Sequence, residues 1–410
     1  MKKLLPYLIG LSLCGFAGLA SAENLIQVYQ QAKESNPDLR KAEAMRNAAY
    51  EKITETRGSL LPQLGLAGGF DLVKNHRGET INQNTGLKTK ENSRTDRWSG
   101  SVSLSQSLFD MSRWYNLNIS EQQAGIQDVA YRAQQQQLIL DTSVAYFNVL
   151  RALDAFSFIQ AQKSAIGKQL EQTQQRFKVG LVAITDVHDA QAQYDKTLAD
   201  EVSRRNDVDN ALEDLRLVTG LTYAQLSQLN TKSFRTKAAP LVGALLKEAE
   251  SNNLMLLSAR LAQTVAREQI RLSESGHYPT LDLTASSSLD DKRKRFQDNR
   301  DTQKSGQHQV GVQLSVPLYT GGRTQSQVRQ AQYNFIGSSE DLESTHRNVI
   351  RNVRSSHNNI SAAISTITAY EQTVVSAQSS LDATLAGYNV GTRTIVDVLN
   401  ATTYLYDAKT

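Results

Sequence analysis

The chain has 410 residues, 45 basic and 41 acidic side chains, a formal net charge of +4 and 40% apolar residues. So small an excess of positive charge in so long a chain excludes a polyanion binder that works through its bulk field, and no nucleic acid is expected as a partner. The one cysteine, Cys14, excludes a disulfide framework and dithiol chemistry.

Residues 1–22, MKKLLPYLIGLSLCGFAGLASA, open with Lys2 and Lys3, continue through an apolar run from Leu8 to Leu19 and end in Ala20-Ser21-Ala22. That is the pattern of a secretory signal peptide, with Glu23 as the expected mature start. A lipoprotein reading of Cys14 is disfavoured by Leu13, which is bulky where a small residue is expected. No later stretch reaches ~18 consecutive apolar residues, so no transmembrane helix is predicted. A β-barrel stays open, because its strands leave only short alternating signals.

The first predicted helix covers VYQQAKESNPDLRKAEA, residues 28–44. A strand follows at about 61–73, with Leu64, Leu66, Phe70 and Leu72 on one face. Residues 74–97 are polar and charged and read as an exposed loop. In the next strand, 98–109, Trp98, Val102, Leu104 and Leu108 alternate with Ser99, Ser101, Ser103, Ser105 and Ser107. Period two means a sheet with one apolar and one polar face. A tilted strand of ~10 residues also has the length that crosses a bilayer. From Ser112 to about Lys178 there is no proline, and glycine stands only at 125 and 167. A helix of that length approaches ~100 Å. It gives way at VGLVAITDVHDAQAQY, residues 179–194, where Gly180 suits the left-handed conformation that closes a helix. Thr185 and Asp186 then start a second helix, which runs to about Val218.

After residues 221–244 the plan repeats. LLKEAESNNLMLLSARL (245–261) echoes 28–44, HYPTLDLTASSS (277–288) echoes LLPQLGLAGGF (60–70), and VGVQLSVPLYTGGR (310–323) echoes GSVSLSQSLFDMSR (100–113). VGTRTIVDVLNATTYLY (390–406) echoes 179–194, and the offsets cluster between 210 and 217. The order and the spacing make this a tandem duplication, with repeat 1 at 23–220 and repeat 2 at 245–410. Strands are predicted at about 279–289, on Leu281, Leu283 and Leu289, and at 309–319, on Val310, Val312, Leu314, Val316 and Leu318. Between them, 290–308 reads as a second exposed loop, with a KRKR run at 292–295.

From Arg323 to about Tyr388 a second long helix is predicted. Its seam positions step by three and four through Ile350, Val353, His357, Ile360, Ile364, Ile367, Glu371, Val374, Gln378, Leu381, Leu385 and Tyr388, the spacing of a coiled coil, with His357, Glu371 and Gln378 as polar members. The second tip, about 389–397, has Gly391 in the place of Gly180, together with Arg393 and Asp397. Asp397 and Asn400 are three apart and share a helix face. Asp186 and Asp397 both suit plain helix capping. The second copy runs from Asp397 only to Thr410, so a C-terminally truncated copy, and a longer reading frame, are expected.

Four strands alone cannot close a barrel around a polar interior, whereas several chains together can. A soluble sandwich with one wet face stays open as an alternative, and so does a secreted trimeric coiled-coil structural or adhesive protein. No G-x-S-x-G, Walker loop or H-E-x-x-H occurs, the six histidines are scattered, and no enzyme is expected.

On QVYQQAKESNPDLRKAEA, LILDTSVAYFNVL, RFKVGLVAITDV, REQIRLSESGHYPTLDLTAS, VRQAQYNF and AGYNVGTRTIVDVLNATT, the chain resembles the outer-membrane factor family, the trimeric efflux and secretion channels of Gram-negative bacteria. The resemblance runs over the whole mature chain. It implies a mixed α and β, internally duplicated fold: a long α-helical coiled-coil barrel, a twelve-stranded antiparallel transmembrane β-barrel shared by a homotrimer with four strands per chain, and a small equatorial region that includes 221–244. It implies a cell-outer-membrane location reaching into the periplasm, and an exit duct for drug efflux and type I protein secretion. Implied partners are a periplasmic adaptor, an inner-membrane efflux pump or ABC exporter, outer-membrane lipid, and phage or colicin at 74–97 and 290–308; no cofactor is implied. The implied gate links are Asp186 with Arg393 and Thr185 with Tyr388, with Gln172 as a supporting contact. Asp397 matches an acidic ring at the narrowest point, where the family pattern has a second aspartate and this chain has Asn400. Three carboxylates instead of six imply a weaker trap for multivalent cations.

Overall fold

A computed structural model describes residues 22–81, 88–229, 235–296 and 299–410. The signal-peptide reading of 1–22 and the loop positions 82–87 and 297–298 lie outside the described residues, Ala22 excepted. In chain order the elements are α1 (Leu25–Ser35), α2 (Pro37–Gly58), β1 (Gln63–Ile81), β2 (Lys88–Phe109), α3 (Met111–Lys178), α4 (Ile184–Thr219), α5 (Val242–Asn252), α6 (Leu254–Glu274), a 3-10 turn (Ser275–His277), β3 (Thr280–Phe296), β4 (Asn299–Ser315), α7 (Arg323–Asn389) and α8 (Ile395–Lys409). They divide into two compact units. One holds the described residues up to Glu43 with Tyr131–Asn253 and Asn348–Thr410, and the other holds Ala44–Ala130 with Leu254–Arg347.

In the second unit the strands form an antiparallel sheet in the order β1-β2-β3-β4. The two copies meet at the β2–β3 pairing, where Leu104 stands opposite Ala285 and Val102 opposite Ser287. The registers put Leu64, Leu66, Phe70, Trp98, Val102, Leu104, Leu281, Leu283, Leu289, Val310, Val312 and Leu314 on one face. The serines of β2 line the other, opposite Gly65, Ala67 and Gly69 of β1. Among the described residues nothing covers the apolar face: Leu66 is 84% and Val310 78% exposed. From Leu64 to Leu72 it spans about 25 Å at ~3.3 Å per residue.

The strands run further at their loop ends than the sequence pattern suggested, whereas β4 ends at Ser315 and leaves Val316 and Leu318 outside it. The expected loops are largely paired strand: 74–81 continues β1, 88–97 belongs to β2, and 290–296 and 299–308 continue β3 and β4. Backbone ladder bonds form whether the side chains are apolar or polar, so the pairing continues where the period-two apolar signal stops.

In the first unit, α1 packs across the α3–α4 hairpin. Val28, Ala145, Tyr146, Val149, Leu150, Ala211 and Leu215 form its core. The Tyr146 hydroxyl donates to the Ser227 carbonyl at 2.7 Å, and Asn36 donates through Nδ2 to the Val218 carbonyl at 3.0 Å. Asn24 starts α1 with a capping box to Gln27. In the second copy, Leu245, Ala249, Val353, Ser356, His357 and Ile360 of α5 and α7 line an open groove instead. They are the counterparts of Val28, Ala32, Thr142, Ala145, Tyr146 and Val149. The predicted α7 seam is therefore closed unevenly: Leu381 and Tyr388 are buried, whereas Ile360 is half exposed. His357 has a buried Nδ1 with no hydrogen bond among the described residues.

Candidate functional site

Both long helices end in the same backbone device. At the first tip the Leu181 N–H donates to the Arg176 carbonyl at 2.9 Å and the Gly180 N–H to Phe177 at 2.9 Å. At the second, the Thr392 N–H donates to Gly387 at 2.9 Å and the Gly391 N–H to Tyr388 at 3.2 Å. These paired bonds close a helix only if one residue turns left-handed, and Gly180 and Gly391 do so with φ of 76° and 82°. At Gly387 close approach matters instead, because a Cβ there would stand 2.8 Å from Arg393 Cγ.

The returning helices differ. Thr394 caps α8: its hydroxyl oxygen accepts from the Asp397 N–H at 3.2 Å, and Asp397 Oδ2 accepts from the Thr394 N–H at 2.9 Å. The Thr394 N–H bond, then the Thr394 hydroxyl and the nearby Arg393 charge, hold the Asp397 carboxyl below the ordinary carboxylate range against a small cost of burial. In the first tip Ala183 stands where Thr394 stands in the second, and it makes no side-chain cap. Asp186 therefore has no cap partner, and its half-exposed carboxylate accepts no hydrogen bond among the described residues. The capping reading thus holds for Asp397 and fails for Asp186.

The two hairpins pack together just behind the tips. Ile166, Leu170 and Ala190 of the first meet Tyr388, Ile395, Val398 and Leu399 of the second in one buried cluster. Gln162 and Gln193 both donate to Thr403 Oγ1, at 3.4 and 3.3 Å. The Arg176 guanidinium lies 4.6 Å from the Tyr388 ring centroid and donates to Asn389 Oδ1 at 2.7 Å. Tyr388 is buried, and its hydroxyl has no hydrogen-bond partner among the described residues.

Of the residues singled out from sequence, Asp186, Thr185, Tyr388, Arg393, Asp397 and Asn400 all lie at the two tips. Thr185, Arg393 and Asn400 are exposed and Asp397 is half exposed. Within one chain no hydrogen bond or ion pair joins Asp186 to Arg393 or Thr185 to Tyr388. Gln172 is exposed in an open groove that Arg176, Tyr388 and Asn389 also line. In the same groove Gln169 carries a buried side-chain oxygen with no hydrogen-bond partner among the described residues. Sequence reasoning missed Arg176 and Asn389. The available signal was a mismatch between the copies, since Arg176 occupies the place that Gly387 takes in the second. Among the described residues no group of three or more His, Cys, Asp or Glu could hold a metal ion, and no helix is long and apolar enough to cross a membrane.

The sequence profile of the outer membrane efflux protein family matches residues 28–221 and 245–410, both copies of the repeat. The chain belongs to the outer membrane efflux protein family. It is 57% identical to outer membrane protein TolC of Escherichia coli (strain K12) over 417 residues, which cover 100% of this chain and 82% of that one. It is 30% identical to the alkaline protease secretion protein AprF of Pseudomonas aeruginosa over 415 residues, 100% of this chain and 84% of the relative. A solved structure of the Campylobacter jejuni outer membrane channel CmeC superposes with a TM-score of 0.77 at 18% identity, covering 94% of this chain and 81% of that one. At such low identity the last match speaks for the fold alone. Family membership makes this chain an outer-membrane efflux and secretion channel protein with a periplasmic extension, in place of a fibre or adhesin.

Proposed function

We propose that three copies of the chain form one gated duct. The observation that carries this reading is the sheet. It has a bare apolar face, and β1 and β4 each have one edge without a partner among the described residues. A bilayer tolerates strands only when every edge is paired, so each β4 needs a β1 from the next copy until the ring closes. Three copies supply twelve strands, enough to enclose a polar lumen lined by the serine face. Repeat 1 (23–220), the connection 221–244 and repeat 2 (245–410) then contribute two hairpins per copy to a helical tunnel in the periplasm.

The tips are the gate of this duct. Asp186, left without a cap by Ala183, is the carboxylate available to Arg393, and Thr185 is the hydroxyl available to the unsatisfied phenol of Tyr388; Gln172 supports the contact from the groove. The exposed Asp186–Arg393 ion pair is worth up to ~1 kcal/mol, a suitable strength for a latch that must open. Asp397 and Asn400 line the narrowest point and select cations. A relative named for alkaline protease secretion, and others named for efflux, support a duct that serves both type I secretion and efflux. A periplasmic adaptor and an inner-membrane pump or ABC exporter are the working partners. The test is single-channel conductance of the purified trimer in a planar bilayer, for wild type and Arg393→Ala. A small, cation-preferring conductance that rises in the variant is expected. A conductance that is large from the start, or unchanged by the substitution, refutes gating at the tips.

A further inference from the structure

The polar extension of the sheet carries its charge unevenly. Three successive cross-strand levels continue the face of Leu64 and Leu66. The first is Phe70, Trp98, Asp291 and Lys304, the second Leu72, Asp96, Arg293 and Thr302, and the third Lys74, Arg94, Arg295 and Arg300. These levels hold six cations against two carboxylates, and both carboxylates are already engaged, Asp96 by Arg94 at 2.9 Å and Asp291 by Arg293 at 3.2 Å. Lys74, Arg295 and Arg300 are exposed and have no ion pair among the described residues. On the opposite face Arg97, Lys292 and Lys294 are matched by Asp71, Asp290 and Asp301, with Arg97 bonded to Asp290 at 2.5 Å. The excess charge is therefore confined to one face.

The third level sets four cations directly opposite one another across roughly 14 Å, three strand spacings of ~4.8 Å. Like charges in direct register destabilise a sheet. A ligand with several phosphates removes that repulsion, and two of the three unengaged cations are guanidiniums, which grip phosphate oxygens in pairs. We propose that this row binds the phosphate groups of an anionic lipid of the outer leaflet; the assignment rests on the reading of the Leu66 face as the lipid-facing side of a barrel. Continuity decides for a lipid. The row lies about 7 Å beyond Leu72 on the same face, past the Phe70–Trp98 ring pair, whose centroids are 4.7 Å apart, where headgroups meet an aromatic girdle. Below it, Gly100 and Gly306 flank Leu289 in a hollow that Trp98 and Lys304 also line, and this gives an acyl chain a place to lie.

The test measures binding of purified lipopolysaccharide and of its dephosphorylated form to the detergent-solubilised full chain. Wild type is compared with Lys74→Gln/Arg295→Gln/Arg300→Gln and with the opposite-face control Arg97→Gln/Lys292→Gln. At roughly fivefold per cation, the triple variant should bind on the order of a hundredfold more weakly, while the control binds like wild type. Dephosphorylation should remove the difference between wild type and the triple variant. Equal losses in the two variants, or indifference to dephosphorylation, overturn the proposal. So does a triple variant that keeps its lipid affinity but loses binding of a phage or colicin, which would make the row a protein receptor. Phosphate-dependent binding by a chain that conducts nothing refutes the duct and supports this surface.

Discussion

Ala183→Thr transplants the second tip's cap into the first. Ala183 has φ −78° and ψ 158°, and Thr394 has φ −92° and ψ 163°, so a threonine fits the Ala183 backbone without rearrangement. Its hydroxyl would accept from the Asp186 N–H, and the Asp186 carboxylate would turn back to the N–H of residue 183, as Asp397 does to Thr394. A cap of this kind stabilises a helix start by about 1 kcal/mol. The exposed Asp186–Arg393 link is worth less, from a few tenths of a kcal/mol up to ~1 kcal/mol, so the captured carboxylate should leave the latch. Each link then loses up to about fivefold in closed-state occupancy, by the usual conversion of ~1.4 kcal/mol per factor of ten. The assay pairs single-channel recording with thermal unfolding of the same preparation. The expected result is a higher melting temperature together with a more conductive channel. A higher melting temperature with unchanged conductance would refute the role of Asp186 in the gate, and no change in either would show that the box does not form.

Further outcomes test the same tips. Asn400→Asp should restore the second acidic position and tighten block by a trivalent cation at least about fivefold, since one pair of unit charges in a water-like dielectric already contributes ~1 kcal/mol and a trimer adds three carboxylates; titration of the block reads it directly. The folded-state pKa of Asp397 is lowered, so its contribution is present above the ordinary carboxylate value and is lost as the pH falls through the lowered pKa. Hydrogen exchange at the start of α8 should accelerate below about pH 4 in wild type, and Thr394→Val should flatten that dependence. Arg176→Ala removes the stacking on Tyr388 and the bond to Asn389. It should loosen the hairpin pair by about 1–2 kcal/mol and raise conductance without altering the β-sheet circular dichroism.

Local signals carried much of the fold. The duplication, the alternation at Leu64–Leu72 and Val310–Leu314, and the glycines at 180 and 391 are statements about short stretches of chain, and each is visible in the order of residues alone. Even the difference between the tips was written in the sequence, as Ala183 against Thr394. Its meaning emerged only with the bonds in place, because a capping aspartate and an uncapped one look alike until the residue three positions earlier is seen to offer an oxygen.

By itself, the sequence determined the element types, the two-copy plan and the family resemblance, because hydrophobic period and turn chemistry act over a few residues. The tertiary structure decided how far the strands extend, how β2 of one copy pairs with β3 of the other, and that Arg176 of one hairpin stacks on Tyr388 of the next. It also set Lys74, Arg94, Arg295 and Arg300 side by side from four separate strands. Those outcomes depend on backbone pairing and on packing between segments roughly 200 positions apart, and no local period reports either.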